Sequence, residues 1–312
     1  MGRVFVAGSI NMDVVATAER HPRVGETVAG KEVLYFPGGK GANQAIAAAK
    51  LGAPTTLIGR LGADPFGERL RTFLAEQGID LGLVKDTFGA HTGTAIITVA
   101  GADNTIVVVP GANAKLGADD VAAVTLTEDD VAISQFEIPL PAIMAFFESA
   151  RAAGATTILN PAPAKACSAE LLALVDILIL NESELGFLTA REFSGSGNPS
   201  RFVEAAKSLS SGDMIVCVTL GERGAIALID GQPLPIPGRK VPALDTTGAG
   251  DCFVGAFAAQ LANGNTIPYA LAFANAAASI CVQRMGAGPS MPTAEEVERA
   301  ISSSRSGERR DS

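Results

Sequence analysis

The sequence predicts an α/β fold: a predominantly parallel central sheet with helices on both faces, and a small β-sheet lid projecting from it. Three observations carry this expectation. Continuous apolar runs such as "DILIL" (176–180) and "MIVCVTL" (214–220) alternate with helix-length segments, as parallel strands buried on both faces do. Two β-rich insertions, about 14–36 and 92–109, interrupt the alternation early in the chain. A chain of 312 residues, 47% of them apolar, can bury roughly three quarters of its unfolded surface in one core. One domain over 1–302 is therefore expected.

In chain order, Val4–Ala7 makes the first strand and ends in "GSINMD". "ANQAIAAAKLG" (42–52) has helical periodicity and closes on Gly52 as C-cap. The strand "TTLIG" (55–59) precedes a helix over Pro65–Gln77, with Asp64 as N-cap, Pro65 at the first helical position and Gly78 beyond the end. Residues 92–110 form a hairpin of two β-branched runs around Gly101–Asn104. Strands at 131–136, 156–160, 176–180 and 214–220 then alternate with helices at 141–153, 168–174 and about 199–210. A second hairpin covers 225–236, and alanine-rich helices cover 250–262 and 268–284. The tail, 303–312, lacks apolar residues and is expected to be disordered.

Bulk properties narrow the function. A net charge of -9, with no Lys/Arg-rich run outside the last residues, excludes a non-specific nucleic-acid surface. Cysteines at 167, 217, 252 and 281 show no C-x-x-C spacing, and His21 and His91 are the only histidines. A disulfide framework and a zinc site are both disfavoured, so a cytoplasmic location is expected. The longest apolar run, 171–180, contains Asp176 and is about half a membrane span, so no membrane partner is expected.

The chemistry concentrates in "DTTGAGDCFVGAF" (245–257). A Gly248-Ala249-Gly250 turn opening a helix aims unpaired N–H donors at one point, which suits an anion. Asp251 beside them would repel an anion, and its bland role is a first-turn acid. Phosphoryl transfer supplies a reason for both: amides hold the charge that spreads over the phosphoryl oxygens, and the carboxylate accepts the attacking hydroxyl's proton. The stretch lacks the third glycine of a dinucleotide fingerprint, and "GGKGAN" (38–43) is not a Walker loop.

Other candidates are weaker singly. Asn11 and Asp13, two apart after a strand, pair a donor with an acceptor for polyol hydroxyls, or form an Asx turn. Lys40 is alternatively a solvated charge, and Glu137 a helix-start acid before Pro139. Asn181 and Glu184 have the N-x-x-E spacing of a capping box or of a site for metal-bound water. "TLGERG" (219–224) is a hairpin turn whose amides could cradle phosphates.

Taken together, "GSINMD", "GGKGANQA", "NPAPA", "LNESE", "TLGERG" and "DTTGAGDCFVGA" resemble the PfkB carbohydrate kinases, the ribokinase family of sugar kinases, over about residues 3–300. That resemblance implies a phosphotransferase taking ATP and a small-molecule sugar. Ribose phosphorylated at its 5-hydroxyl is the first expectation; deoxyribose, fructose or a nucleoside is the alternative, and a non-catalytic binding module is a remoter one. It implies Asp251 as general base and the 248–251 helix tip, through the backbone of Ala249 and Gly250, as anion hole. Asn11, Asp13, Gly39, Lys40, Gly41, Ala42, Asn43 and Glu137 match the sugar site. Asn181, Thr219, Gly221, Glu222, Arg223, Gly224, Gly250 and Asn275 match the ATP site, with Glu184 holding Mg2+ through water. Asp245, Thr247, Cys281, Arg284, Gly286 and Ser290 match a site for K+ or another monovalent cation. A homodimer through the lid is also expected.

Overall fold

The computed structural model describes residues 1–101, 103–193, 199–210 and 212–308. A nine-stranded sheet forms the centre. Its strands are β1 (Val4–Ala7), β4 (Thr55–Gly62), β5 (Asp80–Thr87), β8 (Val131–Gln135), β9 (Thr156–Asn160), β10 (Ile177–Asn181), β11 (Ile215–Thr219), β12 (Gly224–Ile229) and β13 (Gln232–Pro237). They lie in the order β13-β12-β11-β10-β9-β8-β1-β4-β5. Every pairing from β11 to β5 is parallel, and the two antiparallel pairings, β11 with β12 and β12 with β13, lie at one edge.

A separate four-stranded sheet contains β2 (Asn11–Ala18), β3 (Gly30–Gly38), β6 (Gly93–Ala100) and β7 (Asp103–Val109), ordered β3-β2-β6-β7. It is built from the two β insertions. Both are inserted at the carboxyl ends of central strands: β2 follows β1, and β6 follows β5.

The helices are α1 (Lys40–Lys50), α2 (Pro65–Glu76), α3 (Ala118–Val121), α4 (Leu140–Ala152), α5 (Ala169–Leu172), α6 (Glu182–Thr189), α7 (Pro199–Leu209), α8 (Ala249–Ala262), α9 (Ile267–Cys281) and α10 (Ala294–Glu308). Alternate strand residues feed two cores. Val4, Val6 and Ile133 pack with α1, α2, α8, α9 and α10, whereas Phe5, Ala7 and Ala132 pack with α4, α5 and α7 on the opposite face. This is the doubly covered sheet expected of uninterrupted apolar strands.

The boundary signals act as read. The Asp64 carboxylate accepts from Gly67 N at 2.9 Å, and Pro65 starts α2. Two elements carry no clear pattern: β5, an edge strand with Val84 as its one fully buried residue, and α10, which continues through 303–308. Residues 309–312 of the tail, and Ala102 in the first hairpin, lie outside the described residues. Among the described residues no helix is long and apolar enough to cross a membrane.

Strand order reverses direction between β1 and β8, since the chain builds β4 and β5 on one side of β1 before crossing to the other. Open α/β sheets bind ligands at such a switch point, beyond the carboxyl strand ends. Ser9, just past β1, donates its hydroxyl to Glu137 Oε2, just past β8, at 2.5 Å. The two segments are thereby joined at the switch point.

Candidate active site

The centre of the site is where the N-termini of α1 and α8 converge. Gly255 on α8 permits the approach, because a Cβ there would lie 2.4 Å from Gln44 O and 2.6 Å from Ala47 Cβ. Asp251 in the first turn of α8 is 6% exposed. Its Oδ2 accepts from Asn43 Nδ2 and its Oδ1 from Gln44 Nε2, each at 3.0 Å. Gln44 Nε2 also donates to Asn160 Oδ1 at 3.2 Å, and Gln135 Nε2 donates to Gln44 Oε1 at 2.6 Å.

Gly248 precedes α8 with φ of 77°, a conformation that glycine adopts without strain. Ala249 N leans on Thr246 O at 3.3 Å. The N–H groups of Gly250 and Asp251 carry no bond among the described residues, so they are the open donors at the helix tip.

Two clefts meet at this tip. One, of about 490 Å³, is lined by Thr219, Gly221, Glu222, Gly224, Ala249, Gly250 and Asn275, along with Arg239 and Lys240. The other, of about 220 Å³, is lined by Lys40, Asn160, Asn181, Glu184, Gly248, Gly250 and Asp251. Thr219, Thr246 and Gly250 belong to both walls. The larger cleft has the size of a nucleotide site and the smaller joins it to the carboxylate.

The expected sugar-site residues surround Asp251 from the other side. Burial pushes the Asp13 carboxyl up to about 7, and the nearby charges of Glu137 and Asp251 add to the rise. Asn11 is buried, and its Oδ1 accepts from Asn113 Nδ2 at 2.7 Å. Asn113 also brackets Ile10, accepting from its N at 2.9 Å and donating to its O at 3.1 Å. Glu137 Oε2 accepts from Lys40 N at 3.2 Å. Asn43 Oδ1 is buried with no hydrogen-bond partner among the described residues, an acceptor left for a ligand hydroxyl. Gly39 (φ 91°) and Gly41 let α1 start against β1: a Cβ on Gly41 would fall 2.5 Å from Gly8 C. Ala42 is buried behind them, its N donating to Ser9 O at 2.9 Å.

The Lys40 side chain reaches beyond the sugar side into the smaller cleft. Its ammonium is held above the ordinary lysine value, first by the Asp251 charge, against burial, with Glu137 and Glu184 adding. Asn181 and Glu184 form the reciprocal capping box: Glu184 N donates to Asn181 Oδ1 at 2.9 Å and Asn181 N to Glu184 Oε2 at 2.8 Å. Glu184 lines the smaller cleft. Burial raises its carboxyl above the usual range, against the Asn181 N–H and Lys40.

"TLGERG" forms a 3-10 turn between β11 and β12, in which Gly224 is irreplaceable: φ is 92° and a Cβ would meet Ile236 O at 2.1 Å. Arg223 is turned aside, paired with Glu182 at 2.5 Å, and lines neither cleft. Asn275 donates to Pro237 O at 2.8 Å from the wall of the larger cleft.

The expected cation-site residues lie on two segments, 245–247 before α8 and 281–290 from the end of α9 onward, which meet where Gly286 N donates to Asp245. Asp245 accepts from Thr247 N (2.9 Å), Thr247 Oγ1 (2.6 Å) and Gly286 N (2.9 Å), and these bonds outweigh burial to hold its carboxyl below the usual range. Cys281 Sγ lies 3.0 Å from Ser290 Oγ, whereas Arg284 is spent on Glu296. No cluster of three His, Cys, Asp or Glu side chains able to hold a metal occurs among the described residues.

Sequence reasoning passed over Gln44, Gln135, Asn160 and Asn113. Three of these have a visible signal. Gln135 and Asn160 are amide residues at the carboxyl ends of buried parallel strands, and Gln44 follows Asn43 within "GGKGANQA".

The description "pfkB family carbohydrate kinase" matches residues 1–294. The ribokinase of Staphylococcus aureus (strain COL) is 41% identical over 306 residues, spanning 95% of this chain and 99% of that protein. The ribokinase of Mus musculus is 38% identical over 307 residues, spanning 96% and 94%. The structure of Arabidopsis thaliana ribokinase complexed with ribose and ATP superposes with a TM-score of 0.85 at 34% identity, covering 96% of this chain and 99% of that one. A match over nearly the whole chain, on a fold that brings the motif residues around one carboxylate, shows that the chain belongs to the pfkB family of carbohydrate kinases.

Proposed function

We propose that this carbohydrate kinase transfers the γ-phosphoryl group of ATP to the 5-hydroxyl of ribose, giving ribose 5-phosphate and ADP. The observation that carries the reading is the buried Asp251 carboxylate beside the open N–H groups of Gly250 and Asp251, at the junction of two clefts. A hydroxyl placed against Oδ2 gives up its proton there, while the amides receive the charge of the transferring group. Asn11, Asp13, Asn43 and Glu137 supply donors and acceptors for the remaining hydroxyls, and the nucleotide occupies the larger cleft. Full-length similarity to ribokinases supports ribose over other sugars.

A nucleoside substrate would profit from an aromatic face, and Tyr35 is the candidate. Its ring instead packs 5.9 Å from Phe66 and under Arg69, engaged with α2.

Mg2+ fits the free oxygen of Glu184, buried in the smaller cleft beside Asn181. When bound with ATP it offsets the triphosphate charge. Lys40 neutralises charge from the same side. For K+, all the donors holding Asp245 draw the 245–247 and 286 segments together, leaving main-chain carbonyls as the ligands such an ion prefers; bound there, it adds positive field near the helix tip.

The four-stranded sheet acts as a lid whose closure excludes water from the phosphoryl group. Its edge strand β7 exposes all seven residues, including Val107 at 62% and Ile106 at 54%, and two copies pair through it. ADP release measured across pentoses, hexoses and nucleosides, in sodium and in potassium, tests the assignment. Ribose is expected to give the highest kcat/KM, with a higher rate in potassium; a wide preference for a nucleoside contradicts it.

A further inference from the structure

We infer that Gln44 is a positioning residue for Asp251, aligned in turn by Gln135 and Asn160. The inference rests on Asp251 as the base of the proposed reaction. Gln44, Gln135 and Asn160 are all buried. Gln44 Nε2 has two hydrogens, and both are committed, one to Asp251 Oδ1 at 3.0 Å and one to Asn160 Oδ1 at 3.2 Å. Gln44 Oε1 accepts from Gln135 Nε2 at 2.6 Å. Turning this amide over would set a carbonyl oxygen against the carboxylate and an NH2 group against the Gln135 NH2.

The two outer residues make that orientation the only satisfied one. Asn160 Nδ2 donates to Ile179 O at 2.9 Å, so its oxygen must face Gln44. Gln135 Oε1 has no hydrogen-bond partner among the described residues and is pressed against Gly8, where a Cβ would lie 2.3 Å from it. An orphaned buried acceptor is costly. It is retained here because the other end of the amide must donate to Gln44.

The consequence is a division of labour within the carboxylate. Oδ1 is anchored inward by Gln44, whereas Oδ2 meets Asn43, whose own oxygen waits for a ligand hydroxyl. A neutral amide fixes the rotation of the base without neutralising it, which a lysine or arginine at the same place would do. Angular precision of this kind is worth large factors in rate and little in binding.

Gln44→Met removes the donor. Turnover is expected to fall roughly tenfold with ribose KM within about twofold, because the sugar contacts remain. Gln135→Met, which frees the Gln44 amide without touching Asp251, is expected to lower kcat by roughly threefold. In the D251N background, Gln44→Met is expected to change residual turnover by less than about twofold, since its effect passes through the carboxylate. Thermal melting of each variant checks the fold, and Gln44→Glu is the isosteric second variant. It sets another carboxylate against Asp251, among Asp13, Glu137 and Glu184 with Lys40 the facing cation, and kcat at pH 7 is expected to fall at least about tenfold. Unchanged kcat in folded Q44M or Q44E, or an equal loss from Q44M in both backgrounds, overturns the inference. Normal turnover in D251N overturns the base reading and this inference with it; inactive D251N beside normal Q44M overturns this inference alone.

Discussion

Asp13 is a carboxyl whose protonation in the folded protein differs strongly from that in the unfolded chain. Burial and the charges of Glu137 and Asp251 lift its carboxyl to about 7, so in the free protein it is half protonated near neutrality. Folding takes up a proton at this site between its ordinary range near 4 and about 7. Stability from the group is therefore complete at low pH and declines as pH rises through that window. Asp13→Asn is expected to raise the melting temperature more at pH 8 than at pH 5, while weakening ribose binding at both; a uniform or absent gain contradicts the assignment. For the wild type, ribose KM should rise as pH falls below about 7, because the neutral acid loses acceptor capacity. Such strain at a ligand contact is the usual cost of a pre-formed polar site.

At the scale of elements, the site depends on how closely α1 and α8 approach. Gly255→Ala would place a methyl 2.4 Å from Gln44 O, a backbone atom that moves only with its helix. Overpacking of this kind costs roughly 1–3 kcal/mol of stability. Since Asn43 and Gln44 ride on α1, kcat should fall with it; a variant with wild-type stability and turnover would show that the helices tolerate separation. The elements themselves were largely legible: Asp64 and Pro65 mark the start of α2, and the uninterrupted apolar strands announce two-sided burial. What escaped included the short α3, β5, whose edge position buries one side chain fully, and α10, whose final residues carry the polar composition of a tail. Asp251 was legible because its turn and helix are contiguous in sequence. Gln135 and Asn160 carry a visible signal as strand-end amides, but their role was not legible, because it exists only where β8 and β9 end beside α1, 91 and 116 residues from Gln44.

Over the whole molecule, the proposed reaction divides the work between two sheets: the nine-stranded one, with α1 and α8 packed on it, carries the candidate catalytic groups, and the four-stranded one is the proposed cover. The four-stranded sheet ends in β7, whose apolar residues are exposed although β6 pairs with them on one side. If that edge pairs with a second copy as proposed, sedimentation is expected to give a dimeric mass, and Val107→Glu is expected to raise the dimer dissociation constant by roughly tenfold or more. A wild-type monomer at micromolar concentration contradicts the pairing. Loss of the dimer should also loosen the cover and raise ribose KM.

The central claim is that one carboxylate, held between two side-chain amides, takes the hydroxyl proton while adjacent backbone amides hold the moving phosphoryl group. Steady-state kinetics of Asp251→Asn tests it most directly. The account predicts kcat lower by roughly 10²–10⁴-fold with ribose affinity nearly unchanged. Turnover near the wild-type rate in that variant would contradict it.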